Sequence, residues 1–222
     1  MNRRQQRLVF FGDSICVGQG VSIHKGWVTR LAAHVSTLAD RDGREILIVN
    51  ASINGNTTRQ ALERMPYDVQ SHGVDYMIIQ FGLNDCNYWQ SDKGVPRVSP
   101  RAFGANLEEI IARARVFGAR HIVLHTNHPT TRTSEKFPHT DLTYEDSNRH
   151  YNDIIRQIAR QHTNGVTLVD IERHIEALIE RREVDKLADL LLDDALHLSE
   201  RGHDVYYRAI SPVVQEMLFG NQ

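Results

Sequence analysis

Five short apolar runs, separated by stretches of helical spacing, restrict the fold of this chain more than any other feature. Leu8 to Phe11, Ile46 to Val49, Tyr76 to Phe81 and His121 to Leu124 are rich in β-branched and aromatic residues, and Val166 to Val169 is a weaker fifth. These runs are mostly continuous. A strand with one face in water alternates apolar and polar residues, whereas a strand covered on both faces, as in a parallel sheet, does not. Between the runs, Leu107, Ile110, Ile111, Ala114 and Phe117 recur at helical spacing, as do Tyr151, Ile154, Ile155, Ile158 and Ala159. The alternation predicts an α/β fold: a three-layer α/β/α sandwich on a five-stranded parallel sheet with right-handed crossovers. With 222 residues and no linker or repeat, the chain is expected to form one domain over residues 1–222.

Two segments depart from this rhythm. From Asn127 to about Tyr144 the chain is polar, with Pro129, Pro138 and scattered Thr, and is longer than connections usually are; such a loop is read as a functional lid, with a flexible surface excursion as the alternative. A helix is expected from Ser199, its apolar side including Val205, Tyr206, Ala209 and Ile210. Ser211-Pro212 reads as a break where a new helix starts, because Pro suits the first helical position after a Ser cap.

Composition removes several classes of partner. A net charge of −2, without blocks of like charge, gives no footprint for nucleic acid. The basic opening Asn2 to Arg7 leads into the apolar run Leu8 to Phe11, which stops at Gly12, short of the roughly 7 to 15 residues of a secretion signal. No stretch is long enough to span a bilayer, so a cytoplasmic protein without membrane insertion is expected. Cys16 and Cys86 are too few for a disulfide framework and read as small buried residues. Gly-x-x-x-x-Gly-Lys and strand-linked Gly-x-Gly-x-x-Gly loops are missing. His121, His125 and His128 start, end and follow one strand with no carboxylate at ligand spacing, so neither a metal nor another cofactor is expected.

Ligands of open parallel sheets bind beyond the carboxyl ends of the strands, which directs attention to the residues after each run. The first run ends in Gly12-Asp13-Ser14, placing a hydroxyl at a strand end where a following turn would aim free backbone N–H groups at a developing oxyanion. The second ends in the loop Asn50 to Thr58, whose Gly55 is able to present a backbone N–H to a ligand. The third ends in Gly82-Leu83-Asn84-Asp85, where the Asn84 amide is a candidate donor and Asp85 a residue that fixes the loop. Near the chain end, Asp194 and His197 stand three apart, a spacing that brings a carboxylate to Nδ1 of an imidazole and leaves Nε2 free to accept a proton. Asp193 competes for that role; spacing favours Asp194.

Taken together, Gly-Asp-Ser, a loop Gly, Gly-x-Asn-Asp and Asp-x-x-His occur in an order that resembles the SGNH/GDSL hydrolase family. The matching positions are Ser14, Gly55, Asn84 and His197, and the motifs run from residue 12 to 203. The resemblance implies a flavodoxin-like α/β/α domain, with Ser14 as nucleophile, His197 as base and Asp194 orienting it. Its implied oxyanion hole combines the Ser14 and Gly55 backbone N–H groups with the Asn84 side chain; Asn54 and Asn56 flank Gly55 as alternative donors. Ile15 stands where the family often has Leu, and Gly18 agrees with the family pattern.

The implied reaction is hydrolysis of a small-molecule carboxylic ester through an acyl-enzyme. Loops without a long apolar stripe favour a short acyl group, such as acetyl on a sugar. Rivals are a lysophospholipase or thioesterase acting on longer chains, an O-acyltransferase using the same site, and a non-catalytic carbohydrate-binding protein. Tyr88, Trp89 and Trp27 either cover the core or form a platform under a sugar or aryl group. Arg132, Lys136 and Arg149, in or beside the long loop, are candidates for pairing with an anionic substrate.

Overall fold

The structure, a computed structural model, describes residues 5–220; Asn2, Arg3 and Arg4 of the basic opening lie outside them. In chain order the main elements are β1 (Gln6–Gly12), α1 (Ser14–Val17), α2 (Trp27–Arg41), β2 (Ile46–Asn50), α3 (Thr58–Asp68) and β3 (Tyr76–Gln80). There follow α4 (Pro100–Val116), β4 (His121–His125), α5 (Tyr144–Gln161), β5 (Val166–Val169), α6 (Ile171–Glu180) and α7 (Glu200–Phe219). Each of the five apolar runs forms a strand, within two residues of its sequence limits. All pair in parallel, in the spatial order β2-β1-β3-β4-β5. Leu8 of β1 lies between Ile48 and Tyr76, and Phe10 between Asn50 and Ile78.

Two helical layers cover the sheet, with α2 and α6 packed on α7 and with α4 packed between α3 and α5. Leu8 to Phe11 and all of β3 are consequently buried, which is why these runs are continuous rather than alternating. Helix starts are marked by side chains that take up free backbone N–H groups. Thr57 with Gln60 and Thr143 with Asp146 form reciprocal caps on α3 and α5, and Ser99 followed by Pro100 opens α4. The chain order reverses at β1, whose neighbours are β2 and β3, so the crevice beyond the carboxyl ends of β1 and β3 is the switch point of the sheet. The buried Gln80 gathers these ends: its Oε1 accepts from Asp13 N–H at 3.4 Å and its Nε2 donates to Asn127 Oδ1 at 3.2 Å.

The expected break at Ser211-Pro212 does not occur. One helix, capped by Ser199, runs through both residues to Phe219, with Pro212 inside it. Val205, Tyr206, Ile210, Val214, Met217 and Leu218 are buried along it, and this packing outweighs the hydrogen bond and ring clash that an internal proline costs. Since Pro212 is exposed, that cost is recoverable. Pro212→Ala is expected to stabilise the protein by about 1–2 kcal/mol, after allowing for the looser unfolded chain. The urea midpoint measures it, and a midpoint no higher than wild type would show that the helix already accommodates the ring without cost.

Candidate active site

At the end of β1 the chain packs tightly. A Cβ on Gly12 would meet Cys16 Sγ at 2.7 Å and Gln80 O at 2.8 Å, so the glycine is required for close approach rather than for a sharp bend. Asp13 is fully buried and caps α1, its Oδ1 accepting from Ile15 N–H at 3.0 Å while its Oδ2 accepts from Asn84 Nδ2 at 3.1 Å. Burial pushes its carboxyl up to about 7; the Ile15 and Asn84 hydrogen bonds oppose this, and Asp85 adds to it. Ser14 follows as the first residue of α1, which puts its hydroxyl at the mouth of the switch point.

The turn near the chain end supplies the groups that face Ser14. Asp194 Oδ1 accepts from the N–H groups of Leu196 and His197, both at 2.9 Å, and Oδ2 meets His197 Nδ1 at 2.5 Å. Ala195 between them is left-handed, at φ 59°, and this reversal lets both backbone donors reach one carboxylate. An ionised carboxylate only accepts, so Nδ1 carries the ring proton and Nε2 is left to accept from Ser14 Oγ, 2.9 Å away. Burial alone would raise the Asp194 carboxyl, but the hydrogen bonds from the His197 ring and from the two N–H groups outweigh it and hold the group below the usual carboxylate range. Asp193, the competing acid, is exposed and makes no contact with the ring.

Two side chains from the loop after β4 grip this turn. His128 Nε2 donates to Leu196 O at 2.7 Å, and Tyr206 donates to its Nδ1 at 2.7 Å. Burial pushes His128 down to about 4, which keeps it neutral and able to accept from Tyr206. Arg132 donates from Nε and Nη2 to Asp194 O, at 3.1 and 2.8 Å, with its guanidinium over the Tyr144 ring. Phe137 in the same loop stacks on Tyr88 with ring centroids 4.6 Å apart. This loop thus braces the histidine turn through His128 and Arg132. His128 was visible in the sequence only as a metal candidate, and Arg132 only as a possible anion partner.

Ser14, Gly55, Asn84 and His197 meet at a small cleft of about 190 Å3, whose wall also includes Ile15, Gln19, Leu83 and Leu196. Gly55 is left-handed, at φ 74°, and the N–H groups of Ser14 and Gly55 have no acceptor among the described residues. Of the flanking alternatives, Asn56 spends its N–H on Ile53 O and its side chain on Arg64, and neither it nor Asn54 lines the cleft. Asp85 fixes the adjoining loop as expected, its Oδ1 accepting from Thr58 N–H at 2.9 Å and Thr58 Oγ1 at 2.5 Å.

Other candidates lie elsewhere. Trp27 is fully buried and donates to Ile15 O, so it is a core residue and no platform. Trp89 is 52% exposed beside the site. Lys136 pairs with Asp141, and Arg149 with Glu145, Glu172 and Glu176, leaving neither directed at the cleft. His121 bonds Thr167 while His125 packs on Trp27 and Tyr206, so the three histidines after and within β4 do not converge.

The chain belongs to the GDSL-like lipase/acylhydrolase family, a class of carboxylic ester hydrolases, which it matches over residues 10–205. It is 27% identical over 128 residues to an arylesterase of Vibrio mimicus, covering 58% of each chain. To esterase TesA of Pseudomonas aeruginosa it is 32% identical over 119 residues, covering 54% of this chain and 53% of that one. The chain therefore spans a little over half the length of these curated relatives. In fold it superposes on the acetyl xylan esterase AlAXEase with a TM-score of 0.73 at 23% identity, over 94% of this chain and 99% of the other. No helix among the described residues is long and apolar enough to cross a membrane.

The raised Asp13 carboxyl has a sign that stability measurements can read. Between 3.8, its ordinary value, and about 7, folded Asp13 holds a proton that the unfolded chain has released. Its contribution to stability therefore falls as pH rises through that window and is constant above it. Asp13→Asn removes this component, so the variant's urea midpoint relative to wild type is expected to climb between about pH 4 and about pH 7 and then level off. A difference that stays flat across the window would mean that Asp13 ionises normally in the folded protein.

Proposed function

We propose that this chain hydrolyses carboxylic esters of short acyl groups through an acyl-enzyme on Ser14. The observation that carries the proposal is the continuous line from Ser14 Oγ through His197 to Asp194, with contacts of 2.9 and 2.5 Å. In this reading His197 Nε2 takes the Ser14 proton as Oγ attacks the ester carbonyl, and Asp194 stabilises the imidazolium that forms. The carbonyl oxygen becomes an oxyanion, received by the N–H groups of Ser14 and Gly55 and by Asn84 Nδ2. Collapse expels the alcohol with the proton from His197. Water, deprotonated by the same ring, then releases the acid and restores the serine.

The size of the cleft supports the acyl class. Its volume of about 190 Å3 is below the several hundred Å3 of sites that enclose drug-sized ligands. Ile15, Leu83 and Leu196 supply an apolar wall suited to a methyl or short alkyl group. For the alcohol portion we propose a sugar. An exposed Trp89 borders a groove of mixed lining, with Val95 and Pro96 beside Thr57, Arg59, Gln60 and Asp92, and the fold neighbour named above is an acetyl xylan esterase. Cys16 and Cys86 are both buried and free, their thiols pushed up by burial, so neither is set up to act as a nucleophile.

The test is hydrolysis of p-nitrophenyl acetate, butyrate and octanoate by wild type and Ser14→Ala side by side. Acetate or butyrate should be the best substrate, and Ser14→Ala should abolish turnover while keeping the wild-type melting curve. Octanoate as the best substrate would overturn the acyl class, and turnover surviving in Ser14→Ala would overturn the mechanism. Asn84→Ala should lower kcat by about 10² to 10³ if its amide receives the oxyanion; a kcat within a few-fold of wild type would remove Asn84 from that role.

A further inference from the structure

Asn84 and Gly55 come from different loops, after β3 and β2, and one side chain joins them. Arg97 Nη1 donates to Asn84 Oδ1 at 3.3 Å, and Nη2 donates to Gly55 O at 3.2 Å. The arginine is itself held to the Asn84 loop. Its N–H donates to Asn87 O at 2.9 Å and the next N–H, of Val98, donates to Asp85 O at 3.1 Å. The guanidinium lies over the Trp89 ring, its carbon 4.5 Å from the centroid. A planar fork with two parallel donors suits this bridging, and the stacking limits its freedom.

Each end of the bridge has a chemical consequence. The Asn84 amide stands between a carboxylate and a guanidinium, Asp13 accepting on one side and Arg97 donating on the other. Only the orientation with Nδ2 toward Asp13 and Oδ1 toward Arg97 satisfies both, and it leaves the second Nδ2 hydrogen for the cleft. A cation on Oδ1 also withdraws density from the amide and makes that remaining N–H a stronger donor. Gly55 has no side chain, is exposed, and no atom lies within 4 Å of where its Cβ would stand. The Arg97 contact therefore restrains a left-handed residue that packing leaves loose.

We infer that Arg97 is a positioning residue that sets two of the three oxyanion donors, by bridging Asn84 Oδ1 and Gly55 O. The inference rests on the ester-hydrolase reading above. Arg97 also lines the groove proposed for the sugar, so an ester without a sugar isolates its action through the donors, and there its removal weakens the transition state more than the bound ester. Arg97→Ala should lower kcat on p-nitrophenyl acetate by about 10- to 100-fold, less than loss of a donor itself, with KM nearly unchanged. Affinity for a small alkylboronic acid, whose adduct with Ser14 places an oxygen at the oxyanion position, should fall in proportion.

Three further measurements separate positioning from general damage. Millimolar guanidinium should restore part of the lost kcat in Arg97→Ala. In an Asn84→Ala background the Arg97→Ala loss should shrink, since two effects routed through one amide are not additive. Arg97→Lys, which keeps the charge and stem, tests the same point should the alanine variant not fold; a single ammonium cannot span both oxygens, so it too should lose kcat at constant KM. Ser14-dependent hydrolysis with wild-type kcat in both Arg97 variants, or a loss that is fully additive with Asn84→Ala, would overturn this inference alone. Hydrolysis by wild type that does not depend on Ser14 would overturn the parent reading with it.

Discussion

Burial of β1 and β3 on both faces leaves polar chemistry one exit from the centre of the sheet, at the carboxyl ends of these strands. Everything at the site follows from how those ends are filled. Gln80 closes them from inside, bonding the backbone after β1 and the side chain after β4. Asp13 then turns the chain into α1 at a place where burial keeps water from its carboxyl. The hydroxyl of Ser14 emerges next to it, on a support that cannot shift without exposing the core.

Against this fixed serine the protein sets a turn that is held from three directions. Asp194 gathers the two backbone N–H groups and the ring of His197, His128 holds Leu196 O, and Arg132 holds Asp194 O. Each contact removes a rotation or a shift that would carry Nε2 away from Ser14. The neutral state of His128 belongs to this arrangement, because a protonated ring would have nothing to accept the Tyr206 hydroxyl. Orientation of an imidazole to within hydrogen-bond reach of a hydroxyl is thus distributed over residues that never touch the cleft.

What the sequence disclosed, and what it hid, divides along the range of the interaction. β1, β3 and β4 were readable because burial on both faces writes itself into consecutive residues, the partly covered edge strands β2 and β5 were readable from their β-branched residues, and the parallel order followed from the intervening helical periods. Ser14, Gly55, Asn84, Asp194 and His197 were readable as positions because each lies beside the end of an element or within one turn of a partner; the structure brings four of them to one cleft, with Asp194 behind His197. Their bracing was not. His128 meets Leu196 68 residues away and Arg132 meets Asp194 62 residues away, and nothing local marks such pairs. Trp27 was left open between a platform and the core because an aromatic residue looks the same in either place, and Ser211-Pro212 misled because tertiary packing of α7 overrode a local stop signal.

The hydroxyl and the imidazole that meet at 2.9 Å are 183 positions apart in the chain. During synthesis the serine emerges with the first strand, while the turn that faces it leaves the ribosome only after all five strands have been made. A nascent chain therefore carries the serine well before the ring that faces it. The two groups meet only where α7, packed on α2, holds the turn before it against the end of the first strand, so their contact belongs to the assembled fold and to no single segment of it.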